Sequence, residues 1–146
     1  MIKKFRASIL MTLFAVAFLI AVPLTQAQAT TDVGSQNPQL TVSASAASSG
    51  ENPDRATIGD TVKVDGSVTN NTSKKLSALV TVTVRDPQGS SIYTDSKNVS
   101  LGPGKTVSNS YSYVVDDSYQ KGNYEVTVSA TNAKGTSSAT ATLEIF

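Results

Sequence analysis

By residue type, four carboxylates are the best candidates for holding a cation. Asp116 and Asp117 adjoin in one polar stretch, and Glu51 and Asp54 lie in another. Calcium draws roughly six to eight oxygens from loops of this kind. No Asp-x-Asp-x-Asp-Gly run is present, so solvated loop charge is the simpler expectation. Covalent and acid–base chemistry is limited further by what the 146 residues lack: histidine, cysteine and tryptophan are all absent. There is no imidazole base, no thiol nucleophile and no His/Cys metal set. Lys74-Lys75 lies among serines, but no serine sits in a nucleophile elbow. Carboxylate-pair glycosidase chemistry is what the inventory leaves, and short loops give it little cleft. The expectation is a protein that is not an enzyme and needs no cofactor.

Two further residue types invite a binding role. Of the tyrosines, Tyr111, Tyr113 and Tyr124 fall on faces that alternate with Ser and Thr and read as core. Tyr93 and Tyr119 are the pair expected to be exposed, where they could stack on a sugar or meet a partner. Asn70, Asn71 and Asn98 each begin an Asn-x-Ser/Thr triplet, formally a glycan acceptor. Asn70-Asn71 is also good turn chemistry.

The elements that would position these groups begin after the leader. Lys3, Lys4 and Arg6 precede an apolar run from Ile9 to Val22, and Ala27-Gln28-Ala29 follows with small residues at a peptidase spacing. This pattern predicts a signal peptide over residues 1–29, cleaved after Ala29. The run is too short for a span of ~20 residues, so no transmembrane segment is expected after cleavage. Three of the twelve basic residues leave with it and none of the eleven acidic ones do, giving a net charge of −2. That balance argues against nucleic acid as a partner. An exported location, periplasmic or extracellular, is expected, with a cell-surface protein or polysaccharide as partner.

The remaining chain holds 16 Thr, 19 Ser and 14 Val, a composition that favours a pleated backbone. Residues 30–39 read as a flexible leader and 40–146 as one domain. Period-two alternation marks strands at Leu40–Ala46, Val62–Val68, Ala78–Val84, Val107–Val115, Tyr124–Ala130 and Ala139–Ile145. Ile92–Leu101 is a less regular strand, with a break expected near Asp95. Asp86-Pro87-Gln88-Gly89 matches a type I turn, and Gly102-Pro103-Gly104-Lys105 is a second turn. Seven strands with frequent turns and no crossover helix predict an all-β, seven-stranded antiparallel immunoglobulin-like sandwich. A closed barrel is the alternative.

Several segments resemble the immunoglobulin-like domains of prokaryotic surface proteins. They are Gly59-Asp60-Thr61-Val62-Lys63-Val64, the Val80–Val84 run into Asp86-Pro87-Gln88-Gly89, Leu101-Gly102-Pro103-Gly104, and Gly122-Asn123-Tyr124-Glu125-Val126-Thr127-Val128. The likeness covers about Gly59 to Ile145 and is greatest to the cell-adhesion-related bacterial domain and the macroglobulin-like domain, both on the fibronectin type III plan. The Cys…Trp…Cys core of antibody domains is missing. The resemblance implies a spacer, adhesin or scaffold unit. Gly122, Pro103 and Gly104 read as structural, and Tyr124 as a tyrosine corner whose hydroxyl bonds a nearby backbone carbonyl.

The function these readings support is a secreted, non-enzymatic module for cell-surface adhesion, binding or scaffolding. Sheet-edge addition is one mechanism, and an edge strand would also permit self-association. The alternative is a filament subunit that exchanges residues 30–47 between copies.

Overall fold

The computed structural model describes residues 32–33 and 37–146, so the expected signal peptide lies outside the described residues. Seven long strands carry the fold: β2 (Leu40–Ser48), β4 (Thr61–Asn70), β5 (Leu76–Arg85), β6 (Ser91–Leu101), β7 (Thr106–Val114), β8 (Gly122–Asn132) and β9 (Gly135–Ile145). Two strands of two residues each accompany them, β1 (Asp32–Val33) and β3 (Arg55–Ala56). One sheet has the order β1-β9-β8-β5-β6, with β3 also on β9, and the other has the order β2-β4-β7. Among the described residues no strand pairing joins the two sheets, so the architecture is a sandwich and the barrel alternative falls.

The expectation of seven wholly antiparallel strands is corrected in two respects. Two short strands are added, and β3 runs parallel to β9 through Arg55↔Glu144 and Ala56↔Ile145. A two-residue strand is too short to show a period, which is why Arg55–Ala56 reads as loop in the sequence. Nor does β6 break at Asp95: it pairs with β5 from Ser91 to Leu101, and the irregularity falls between Val84 and Arg85.

Alternation explains the core. Val62, Val64 and Val68 of β4, Val126 and Val128 of β8, and Leu143 and Ile145 of β9 point into the seam and are buried. Ser, Thr and charged residues such as Lys63, Asp65 and Glu125 occupy the opposite positions, as one wet face per sheet requires. Gly66 marks a close approach of the sheets, because a Cβ there would lie 2.9 Å from Val128 Cγ2. A smaller apolar group of Leu40, Val68, Ala78, Leu101 and Ala130 fills one end. At that end Asn70 is fully buried, and its Nδ2 donates to the carbonyls of Lys74 (2.7 Å), Leu101 (3.1 Å) and Gly102 (3.0 Å). Of the two readings of Asn70, the turn reading fits: its amide ties the β4–β5 turn to the β6–β7 turn and is buried away from a glycan. Asn71 is exposed, as is Asn98 on β6.

The start of the domain is fastened rather than loose. Asn37 is buried, its backbone N–H donates to Ser137 Oγ (2.9 Å), and its Nδ2 donates to Asn132 Oδ1 (2.8 Å) and the Gly135 carbonyl (3.1 Å). The flexible leader expected over 30–39 thus does not extend to its last three residues. β2 then pairs with β4 from Leu40↔Asn70 to Ser48↔Val62. Leu40, Ala44 and Ala46 enter the chain's own core, so the described part of the segment expected to exchange between copies is seated at home.

Candidate functional site

Tyr93 and Tyr119, expected to be an exposed pair, are half-buried and belong to two separate aromatic groups. Tyr93 meets Tyr111 edge-on at 6.1 Å, while Tyr119 stacks on Tyr113 at 5.6 Å and meets Tyr124 edge-on at 6.2 Å. All of them pack against the main core. Tyr124 is buried, and its hydroxyl accepts the Gln120 backbone N–H at 3.0 Å. The corner therefore exists with an N–H donor in place of the expected carbonyl acceptor. Pro103 and Gly104 take the central positions of a turn closed by Lys105 N–H to the Gly102 carbonyl at 3.1 Å. Gly104 has φ +64°, as the third residue of a type II turn needs.

The four loop carboxylates do not converge. Among the described residues no group of three or more acidic side chains is placed to hold a metal ion. Glu51, Asp54, Asp116 and Asp117 are all exposed. Asp116 instead bonds within its own turn: its Oδ1 accepts the Ser118 hydroxyl and the Ser118 N–H (2.9 Å), which hold its carboxyl below the usual range.

Two concavities differ greatly in room. A crevice between β6 and β7, floored by Val80, Val82 and Val128, has a volume of about 20 Å³, enough for little more than one water. The other opens on the outer face of the larger sheet with about 500 Å³, within the usual size of small-molecule sites. Its wall is the β5–β6 turn, where Asp86 Oδ1 accepts the N–H groups of Gln88 (3.0 Å) and Ser90 (2.8 Å), and Gly89 N–H bonds the Asp86 carbonyl at 2.9 Å. Its floor is set by register: Arg85 faces Glu125 across β5–β8, and Glu125 faces Thr142 across β8–β9. Asn123 lies one outward position from Glu125, and Asp86, Pro87, Gly89 and Tyr124 complete the lining.

The electrostatics of this cradle are those of a pre-arranged polar platform. Arg85 Nη1 lies 3.2 Å from Glu125 Oε1, with about half of each side chain exposed. Such a pair adds little stability, but it fixes a guanidinium and a carboxylate in one plane of reach. With Asp86, the cradle carries one positive and two negative charges, a poor setting for an anion. It offers donors and acceptors in close array, which suits neighbouring hydroxyls, each of which both donates and accepts. At the same end, Arg55 Nε bonds Glu144 Oε2 at 2.8 Å and lies over the Phe146 ring at 3.9 Å. The sequence alone marks the Asp86–Gly89 turn and the Gly122–Glu125 segment but not Arg85 or Thr142 as parts of one site.

The pH response follows from groups around this fold. Burial raises the pKa of Tyr93 to about 12, aided by Tyr111 and Asp95, and raises those of Tyr111, Tyr113, Tyr119 and Tyr124. The unfolded chain ionises these phenols near pH ~10, so their contribution is intact below that and declines as pH rises through the folded values. Asp60 is held low because its Oδ2 accepts the Thr57 N–H (2.8 Å) and hydroxyl (3.0 Å). Its contribution is present above pH ~4 and is lost as pH falls through the lowered value. Without histidine there is no imidazole to titrate between. Urea denaturation across pH is expected to give a broad neutral plateau with losses at both ends. A step near pH ~6.5 would contradict this account.

Among the described residues no helix is long and apolar enough to cross a membrane. No curated protein matches the chain. Among solved structures, the CARDB domain of a Pyrococcus furiosus protein, determined by NMR, is similar at 19% identity with a TM-score of 0.52, covering 73% of this chain and 94% of that one. The crystal structure of that domain in complex with di-metal ions gives 16%, 0.53, 84% and 95%. The C-terminal domain of wzt gives 15%, 0.54, 80% and 78%. At these identities the likeness is one of fold, a β-sandwich. The family model described as hemicentin galactose-binding domain-like matches residues 39–139, and the chain belongs to that family.

Proposed function

We propose that the chain is an exported, non-catalytic binding module of the cell surface, and that it grips a neutral, hydroxyl-rich sugar of the galactose class on a surface polysaccharide. The observation that carries this is the convergence of Arg85, Asp86, Asn123, Glu125 and Thr142 on one open concavity of about 500 Å³. Three further points support it. The family description names galactose binding. The N-terminal sequence has the pattern of an export signal. The residue inventory lacks the usual nucleophile–base sets. Adhesion or scaffolding would follow from holding such a polymer.

Calorimetric titration of the purified chain with galactose and with a galactan tests the reading. Glu125→Ala and Arg85→Ala are each expected to weaken binding at least about tenfold, a change of ~1.4 kcal/mol. Lys134→Ala, in the turn at the opposite end of the sheet, is expected to leave it unchanged. Binding that survives both cradle substitutions, or no binding to either sugar, would remove the cradle from the account. Recovery of the protein from the cytoplasm on cell fractionation would remove the surface role.

A further inference from the structure

The larger sheet ends on β6, and that edge is open where the sheet's opposite edge is capped. The outer edge of β9 is capped by β1 at Ala139–Thr140 and by β3 at Glu144–Ile145. No described strand pairs with the outer side of β6 along its 11 residues, and the strand holds no proline. Unpaired edges of this length are templates for another strand.

The sequence of β6 is self-complementary about its centre. Asp95 and Lys97 flank Ser96, and both point to the inner side, facing Val82 and Val80 across the β5–β6 pairing. We propose that two copies of the chain pair along β6, antiparallel, with Ser96 on the two-fold axis. Asp95 of each copy then lies opposite Lys97 of the other, twice by symmetry. Tyr93 meets Val99, Thr94 meets Asn98, and Ile92 meets Ser100. Every opposed pair shares a face, so both inner faces lie on one side of a continuous sheet.

Charge selects this register. Slipping it by two residues one way sets Asp95 against Asp95, and the other way sets Lys97 against Lys97, and directly opposed like charges are destabilising. A slip by one residue turns the inner face of one copy outward. An inward-pointing charge on an edge strand ordinarily discourages strand addition. A lone lysine would do that, whereas an acid two residues away cancels it in a single antiparallel alignment. The hydrogen bonds gained are about one per paired residue. The strand β7, the other edge beside the crevice, has no charge to set a register.

Sedimentation velocity and light scattering over a concentration series test the pairing. The chain is expected to dimerise, and Asp95→Lys and Lys97→Asp are each expected to weaken the dimer at least tenfold. The double variant carrying both exchanges is expected to recover it, with circular dichroism unchanged throughout. Because the chain has no cysteine, Ser96→Cys is expected to yield a covalent dimer with a short thiol cross-linker, and Ser110→Cys in β7 is not. A chain that stays monomeric at every concentration overturns the proposal. So does a double variant that fails to recover, or cross-linking at Ser110 in place of Ser96.

Discussion

Replacing Asn70 with alanine is expected to destabilise the domain by about 3 kcal/mol, read as a fall in the urea midpoint at constant slope. The side chain is fully buried, and both ends of its amide are used. Nδ2 serves the carbonyls of Lys74, Leu101 and Gly102, and Oδ1 accepts the Thr72 N–H at 2.8 Å and lies 2.8 Å from the Thr72 hydroxyl. Alanine removes one partner from each, but the Gly102 carbonyl keeps the Lys105 N–H and the Lys74 carbonyl keeps the Thr72 hydroxyl. The Thr72 N–H and the Leu101 carbonyl therefore bear the loss, at about 1–3 kcal/mol for each orphaned buried group. Some relaxation toward water at the Lys74 turn holds the total near the lower end of the sum. Asn70→Asp is expected to be at least as harmful. It keeps the acceptor for Thr72 but turns an oxygen toward three carbonyls. Against a typical total of about 5–15 kcal/mol the loss is large. An unchanged midpoint would mean that the turns at this end close without the amide.

Asn70 also shows what sequence could and could not reveal. Six of the seven long strands were legible because apolar residues, Val and Ala above all, alternate with polar ones, and burial follows that alternation; β6, with Asp95 and Lys97 on its inner side, was the irregular one. The local pattern at Asn70 is equally that of a glycan acceptor and of a turn. The choice between them depends on Leu101 and Gly102, about thirty residues away. Strand β3 was hidden for the same reason, since its partner Glu144–Ile145 lies 89 residues on. The cradle was hidden by dispersion: Arg85 ends β5, Glu125 lies near the start of β8, and Thr142 lies near the end of β9. Only the registers Arg85↔Glu125 and Glu125↔Thr142 bring them into one row. A weak signal was present, because Arg85, Glu125 and Glu144 are charges on an outer face built mostly from uncharged residues, Ser and Thr above all. The tyrosines misled in the other direction. Tyr93 and Tyr119 are the pair left over once Tyr111, Tyr113 and Tyr124 are placed on core faces, yet Tyr111 on β7 covers Tyr93 from the facing sheet.

The proposed cradle and the proposed dimer have a joint consequence. With both inner faces on one side of a continuous sheet, both cradles open on the other. Two weak sugar sites on one face would engage a repeating polysaccharide with an avidity beyond either site, provided the polymer spans them. The charge exchange at Asp95 or Lys97 is then expected to reduce binding to a galactan while leaving binding to free galactose unchanged.

Replacing Gly122 with alanine is expected to cost about 3 kcal/mol and to open the cradle as well. Two independent effects combine at this position. The backbone has φ +133°, a region that residues with a Cβ rarely occupy, and forcing one there costs about 1–3 kcal/mol. A Cβ would also lie 2.8 Å from Pro87 Cβ and 2.9 Å from Pro87 Cγ, a distance at which one of the two must move. Pro87 sits in the turn that walls the concavity, and its ring is rigid, so the whole Asp86–Ser90 turn has to shift rather than one rotamer. Denaturant unfolding of Gly122→Ala, Pro87→Ala and the double variant separates the effects. If the clash matters, the double variant is less destabilised than the sum of the singles, because Pro87→Ala removes Cγ and lets the turn yield. The residual cost is that of the positive φ together with the contact to the Cβ that alanine retains at 87. Sugar binding is expected to fall in Gly122→Ala and to recover in part in the double variant, since the turn that carries Asp86 is released from strain. Full additivity would show that Pro87 gives way freely, and that the narrow contact between this turn and β8 does not shape the site.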